Sequence, residues 1–136
     1  MTDSSFLSHI RKPGRYLGSE YNAALSDDQP KKVKTALLFP DLYEIGMSHQ
    51  GLLILYHILN ATEHYAAERC YCPDKDAEAL LRKSKKPLCA LESGAPLASF
   101  DFLGITLPYE LCYTNILTML NLAGVPFYNW QRNEQH

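Results

Sequence analysis

Short apolar segments alternate with helical patterns along most of this chain, and this alternation restricts the fold class. The segment VKTALLF, at residues 33–39, is bounded by lysines and by Pro40, as is typical of a buried strand. A polar loop follows, and Ser48 is the predicted N-cap of the helix after it. Apolar residues of that helix recur at helical spacing: Leu52, Leu55, Tyr56 and Leu59.

The same alternation of strand and helix recurs further along the chain. AAERCYC, at 66–72, predicts a second strand, and AEALLRKSKK after it predicts a helix. FLGITL, at 102–107, predicts a third strand, and the next helix is expected to stop at Gly124. VPFY, at 125–128, predicts a short fourth strand.

Strands that alternate with helices pair in parallel through right-handed crossovers, with helices on both faces of the sheet. We therefore predict an α/β fold that is doubly wound and flavodoxin-like, with about four mainly parallel strands in the order 2-1-3-4. The connections after strands 1 and 3 then leave to opposite faces, and the crevice between them is the expected ligand site. We expect residues 31–136 to form this domain. Residues 1–30 show no regular pattern and form an arm over the domain or a tail.

Two chemically distinctive loops, PDLYEIGMSHQG and PYELCYTN, follow strands 1 and 3. Their polar side chains predict a ligand-binding rim, or alternatively loop solvation and helix capping. Gly46 either approaches a ligand closely or is an ordinary turn glycine. His49 is interpreted as a capping or packing histidine, and His57 as a structural one. The polar candidates are Asp41, Glu44 and His49 on the first loop and Tyr109, Glu110, Tyr113 and Asn115 on the second.

Composition limits the classes of partner. The formal net charge of −2 argues against a direct nucleic-acid partner. No apolar run reaches the roughly 18 residues that a membrane span requires, and the N-terminus lacks the apolar core of a signal peptide. We therefore expect a cytoplasmic protein without membrane contact. Cys70 and Cys72 would share one face of a strand, as buried free thiols or as part of a metal site.

The sequence lacks the motifs of common catalytic machinery. It contains no G-x-S-x-G elbow, no P-loop, no G-x-G-x-x-G and no H-E-x-x-H. A Cys112 nucleophile with a His49 base would be the catalytic alternative, but nothing nearby in the sequence activates the cysteine. The chain alone is therefore not expected to be a complete enzyme.

Several longer stretches carry a family resemblance. DLYEIG, at 41–46, resembles the D-x-H-x-x-G signature of cobalamin-binding domains, with Tyr43 in the position of the cobalt-ligating histidine. DFLGITLPYEL resembles their third strand, with Thr106 in the position of a serine that meets the cofactor's nucleotide tail. With RYLGSEYNA, LESGAPL and YELCYTNILTMLNLAGVP, these stretches resemble the N-terminal segment of a family of radical S-adenosylmethionine (SAM) proteins. Members are Fe-S oxidoreductases with a cobalamin-binding-like domain ahead of a catalytic barrel. The resemblance covers residues 11–126.

The resemblance implies an accessory N-terminal domain that is not catalytic alone. Its crevice would be a corrinoid site, with cobalamin as candidate cofactor, or a structural surface without cofactor. Tyr43 cannot coordinate cobalt as an imidazole does, so cobalamin would be held without a lower histidine ligand, or not at all. The residues expected to line the cleft are Asp41, Tyr43, Glu44, Gly46, Ser48, Thr106, Tyr109 and Glu110.

The resemblance also predicts the partner and the extent of the chain. The family's Cys-x3-Cys-x2-Cys motif is missing from the sequence. The [4Fe-4S] iron-sulfur cluster and S-adenosylmethionine are therefore expected in the C-terminal barrel of the parent protein, which would be the partner. Since the family's domain continues into a fifth strand, the chain is expected to be incomplete at its C-terminus. An uncovered strand 4 predicts self-association through 125–128, or disorder of the last ten or so residues.

Overall fold

The computed structural model of this protein describes residues 4–24 and 33–132. Its strands are β1 (Val33–Phe39), β2 (Tyr65–Tyr71) and β3 (Phe102–Ile105). Its α-helices are α1 (Ser4–Leu7), α2 (Tyr43–Gly46), α3 (Gln50–Asn60), α4 (Lys75–Ser84) and α5 (Tyr113–Ala123). Short 3-10 helices lie at Pro13–Tyr16, Leu97–Ser99, Glu110–Cys112 and Asn129–Gln131. In these two ranges, no helix is long and apolar enough to cross a membrane.

The three strands form one parallel sheet in the order β2-β1-β3. β1 pairs with β2 along its whole length, from Val33 opposite Tyr65 to Phe39 opposite Tyr71. Every residue of β1 from Thr35 onward is buried, as expected of a central strand covered on both faces. The predicted α/β class and parallel pairing are confirmed, and the observed order agrees with the first three places of 2-1-3-4.

Alternate side chains of β1 divide the core into two clusters, one on each face of the sheet. Ala36 and Leu38 pack in a cluster that includes buried residues of α4 and α5. Leu37 and Phe39 pack in the other cluster with buried residues of α3. Helices therefore cover both faces, and the helices that follow β1 and β3 lie on opposite faces. This geometry locates the crevice of a doubly wound sheet between the carboxyl ends of β1 and β3.

Residues 125–128 do not form the predicted fourth strand. α5 ends at Gly124, whose φ of 73° is left-handed, and the Val125 N–H donates to the Leu120 carbonyl to close the helix. Pro126 has no N–H, so only two of the four residues could donate to a strand ladder. Among the strands of the described ranges, β3 is therefore the one at the edge where strand 4 was predicted.

The N-terminal residues lie over the domain as an arm, which we define as residues 4–24. Phe6, Ile10 and Tyr16 are buried in the cluster that contains α4 and α5, so the arm is part of the core. The predicted boundary between residues 1–30 and 31–136 falls within residues 25–32, which lie outside the described ranges, and stays a prediction. Residues 133–136, the last of the segment expected to be disordered, also lie outside them.

His49, rather than the predicted Ser48, caps α3. Its Nδ1 accepts a hydrogen bond from the Leu52 N–H at 3.2 Å, and its ring packs on Phe39 with centroids 5.0 Å apart. The interpretation of His49 as a capping or packing residue is confirmed. Ser48 lies in the turn between α2 and α3, where the His49 N–H donates to the Gly46 carbonyl, and α3 therefore begins one residue later than predicted.

Candidate functional site

The loops after β1 and β3 form the two sides of the predicted crevice. The first runs from Pro40 into the one-turn helix α2, and the second leads from Thr106 into the 3-10 helix before α5. The Thr106 N–H donates to the Leu38 carbonyl at 3.0 Å, which keeps the second loop beside β1 for one residue beyond β3. Asp41 and Tyr109 consequently face one another.

Two hydrogen bonds join these loops across the crevice. The Tyr109 hydroxyl donates to Asp41 Oδ2, and this carboxylate raises the pKa of Tyr109 because it stabilises the protonated hydroxyl. Asn115, in the first turn of α5, donates from Nδ2 to the Pro40 carbonyl at 2.9 Å. Asp41 Oδ1 accepts from the Leu42 N–H at 2.7 Å, so both carboxylate oxygens of Asp41 have partners within the protein.

Tyr43 binds the arm. Its hydroxyl donates to Glu20 Oε1 at 2.5 Å, and its ring meets Tyr71 edge to face, with centroids 5.2 Å apart. Burial, followed by the hydrogen bond to Glu20, raises the pKa of Tyr43 to about 12. Tyr43 therefore stays protonated at neutral pH, when it acts as a donor to the arm.

Glu44 also binds the arm, through two cations. Lys12 Nζ lies 3.2 Å from Glu44 Oε1, and Arg15 Nε lies 2.8 Å from Glu44 Oε2. Arg15 is 9% exposed, and its Nη1 also contacts Asp74 Oδ2 at 2.6 Å. The hydrogen bond from Arg15 holds the pKa of Asp74 below its usual range. Arg15 thus joins the loop after β1 to the loop after β2.

A second attachment of the arm lies deeper, against β2. Glu20 Oε2 is 2.8 Å from Nη1 of Arg69, whose side chain is buried and whose Nε is 2.6 Å from Glu92 Oε1. The Arg69 guanidinium lies 4.7 Å over the Tyr56 ring, and the Tyr56 hydroxyl accepts from the Ala24 N–H at 2.6 Å. The sequence does not predict this buried network, because the arm has no periodic pattern that could indicate its contacts.

Gly46 has a packing role that neither sequence interpretation anticipated. A Cβ atom at this position would lie 2.6 Å from Cδ1 of Phe39 and from two ring carbons of Tyr71. The missing side chain therefore allows α2 to pack directly on these two aromatic rings. Gly46 is buried against the protein itself, not held free for a ligand.

The remaining predicted residues are not brought together. Ser48 and Glu110 are exposed, and Thr106 is half-buried at the end of β3. Of the eight predicted residues, Asp41 contacts Tyr109 across the crevice, and Tyr43 and Glu44 contact the arm.

The four cysteines lie inside the protein. All four are free and buried, which confirms one interpretation of Cys70 and Cys72. Burial raises the pKa of Cys72 to about 12 and that of Cys70 well above its usual value. Cys112 is fully buried, so substrate could not reach it as a nucleophile. Over residues 4–24 and 33–132, no group of three or more His, Cys, Asp or Glu side chains could hold a metal ion.

One comparison with known proteins gives a match. A family model described as "Radical SAM proteins, N-terminal" matches residues 51–136, well over half of the chain. The matched region contains α3 apart from its first residue, and all later strands and helices. The comparisons with curated proteins and with solved structures gave no match.

Proposed function

Because this chain belongs to the family of N-terminal domains of radical SAM proteins, we propose that it is a non-catalytic scaffold domain without a corrinoid in its crevice. Family membership implies a linked C-terminal radical SAM part, which the domain would support. The hydrogen bond from Tyr109 to Asp41 carries the proposal, because it ties together the two loops between which a ligand would enter.

The residues of this chain do not fit cobalamin. Tyr43 stands where the resemblance places an imidazole ligand, but its hydroxyl is protonated and donates to Glu20. Asp41 is bound on both oxygens. The space beside Gly46 is filled by aromatic rings. Two buried polar atoms in the described residues lack a partner, Arg69 Nη2 and Tyr71 Oη, and both belong to β2 rather than to the crevice.

Opening the crevice for a ligand would cost free energy. Opening would break the bond from Tyr109 to Asp41 and the part-buried bond from Asn115 to the Pro40 carbonyl, and the second bond alone contributes about 1 kcal/mol. A loss of about 1 kcal/mol corresponds to about fivefold weaker binding. Closed loops therefore favour the scaffold function over corrinoid binding.

Titration with hydroxocobalamin, followed by visible absorbance, tests this proposal. We expect no spectral change with the wild-type chain or with Tyr43→His, which supplies the missing imidazole. Tyr65→His, at a partly exposed position on β2, controls for coordination by any surface histidine. Saturable binding by the wild type, or by Tyr43→His but not by Tyr65→His, would show that the crevice opens and would refute the proposal.

A further inference from the structure

α3 has an unusual composition for a helix at a protein surface. Its sequence, QGLLILYHILN, contains no Asp, Glu, Lys or Arg, and Tyr56 and His57 are its two titratable residues. A helix at a surface normally carries charged residues on its outer side, whereas a helix that is apolar all round is normally buried on all sides.

Only one side of α3 is covered in the described structure. Leu52 and Tyr56 are buried against β1 and β2. Leu55, which its spacing predicts on the inner side, is 50% exposed. Ile54 and Ile58 are 54% and 58% exposed. The outer side of α3 thus presents three large aliphatic side chains beside the exposed Gln50, Gly51 and His57.

α4 provides an internal comparison, because it is of similar length and also packs on the sheet. Ala77 and Leu81 form its buried side. Five of its ten residues are charged: Lys75, Asp76, Glu78, Arg82 and Lys83. The chain therefore has charges where a helix of this sheet meets water. Their absence from α3 indicates that its outer side meets another apolar surface.

The apolar surface extends to β3 on the same face of the sheet. Phe102 lies opposite Thr35 and Gly104 opposite Leu37 in the parallel pairing, so both are on the face covered by α3. Phe102 is 67% exposed. We define the α3 face as the exposed residues Ile54, Leu55, Ile58 and Phe102.

We propose that the α3 face docks on an uncharged, apolar surface of the linked radical SAM part, an inference that rests on the proposed function. Family membership supplies this partner within the same polypeptide, where linkage makes its effective concentration high. A charged partner surface that docked on the α3 face would lose its own hydration and gain no ion pair in return. The absence of charged residues from α3 therefore favours an apolar partner surface. All residues of the α3 face lie within the matched residues 51–136. A surface that binds a partner common to the family should lie within the region that the family shares.

Hydroxyl-radical footprinting with mass spectrometry tests this docking. We would compare the 136-residue chain with the longer polypeptide in which the radical SAM part follows it. Oxidation of the α3 face should fall at least about threefold in the longer polypeptide, since docked interface cores pack as densely as protein interiors. Oxidation of α4 should stay the same. Equal oxidation of the α3 face in both proteins would overturn the proposal.

A pair of variants sharpens the test. Ile58→Glu in the longer polypeptide should restore oxidation of Ile54 and Leu55, whereas Ala79→Glu, at an exposed position of α4, should not. Protection of the α3 face that appears in the 136-residue chain and rises with its concentration would assign the face to a second copy, which also overturns the proposal. The hydroxocobalamin titration reports on the crevice alone, so failure of the scaffold function and failure of docking remain distinguishable.

Discussion

Replacement of Gly46 by alanine separates a packing role from a ligand-binding role. The new Cβ would lie 2.6 Å from carbons of Phe39 and Tyr71, whereas carbon atoms normally pack about 3.5–4.0 Å apart. One methyl group would therefore overlap two rings by about 1 Å. Both residues are buried, with exposed fractions of 1% for Phe39 and 7% for Tyr71, so neither ring can swing into solvent.

We expect Gly46→Ala to lower the free energy of unfolding by about 1–2 kcal/mol. Overpacking of a core costs about 1–3 kcal/mol. The upper part of that range applies because the Met47 N–H donates to the Tyr43 carbonyl at 2.8 Å and holds α2 in place. Since Gly46 has no positive φ, alanine gains about 1 kcal/mol from its higher helix propensity, which offsets part of the cost. The net loss should lower Tm by about 4–8 °C.

Urea denaturation followed by circular dichroism measures this loss. Gly14→Ala is the matched control, because a Cβ at Gly14 meets no atom within 4 Å and its φ is not positive. We expect the stability of Gly14→Ala to equal or slightly exceed that of the wild type. If Gly46→Ala were as stable as the wild type, the packing role would be refuted and the ligand-binding interpretation would regain support.

The arm and the cysteines give two further predictions. Arg15→Met should lower the free energy of unfolding by about 2 kcal/mol in urea denaturation, because two charge-assisted hydrogen bonds are lost while Glu44 and Asp74 regain water. Arg11→Met should change this free energy little, because the Arg11 side chain is 80% exposed. Folding lowers the pKa values of Glu44 and Asp74, so the stability that they contribute is present above their unfolded pKa of about 4 and is lost as pH falls through the folded values. If the free energy of unfolding of Arg15→Met fell equally steeply in acid, the assignment of this stability to the Arg15 ion pairs would be contradicted. The four buried cysteines should react with a thiol reagent in urea but not in the native chain at neutral pH. Rapid native labelling would contradict the burial of all four and the raised pKa values of Cys70, Cys72 and Cys89.

The sheet was predictable because burial leaves a local pattern in the sequence. A strand covered on both faces needs a run of apolar residues, and 33–39 carries one. The predicted second and third strands differ from the observed ones by no more than two residues at either end. The prediction of a fourth strand at 125–128 was wrong, because the helix cap at Gly124 and the missing N–H of Pro126 outweigh the β propensity of VPFY. The resemblance to radical SAM N-terminal domains is confirmed, and its cobalamin-binding-like part stays a prediction.

The sequence by itself determined the α/β class, the first three strands, the crevice loops and the family, because periodicity and motif spacing are properties of neighbouring residues. Only the tertiary structure decided what those loops contact. Arg15 is 29 residues from Glu44, and Asp41 is 68 residues from Tyr109. Such partners are chosen by the elements that the fold brings together, so a polar loop that sequence predicts as a ligand rim can instead bind its own arm and its opposite loop.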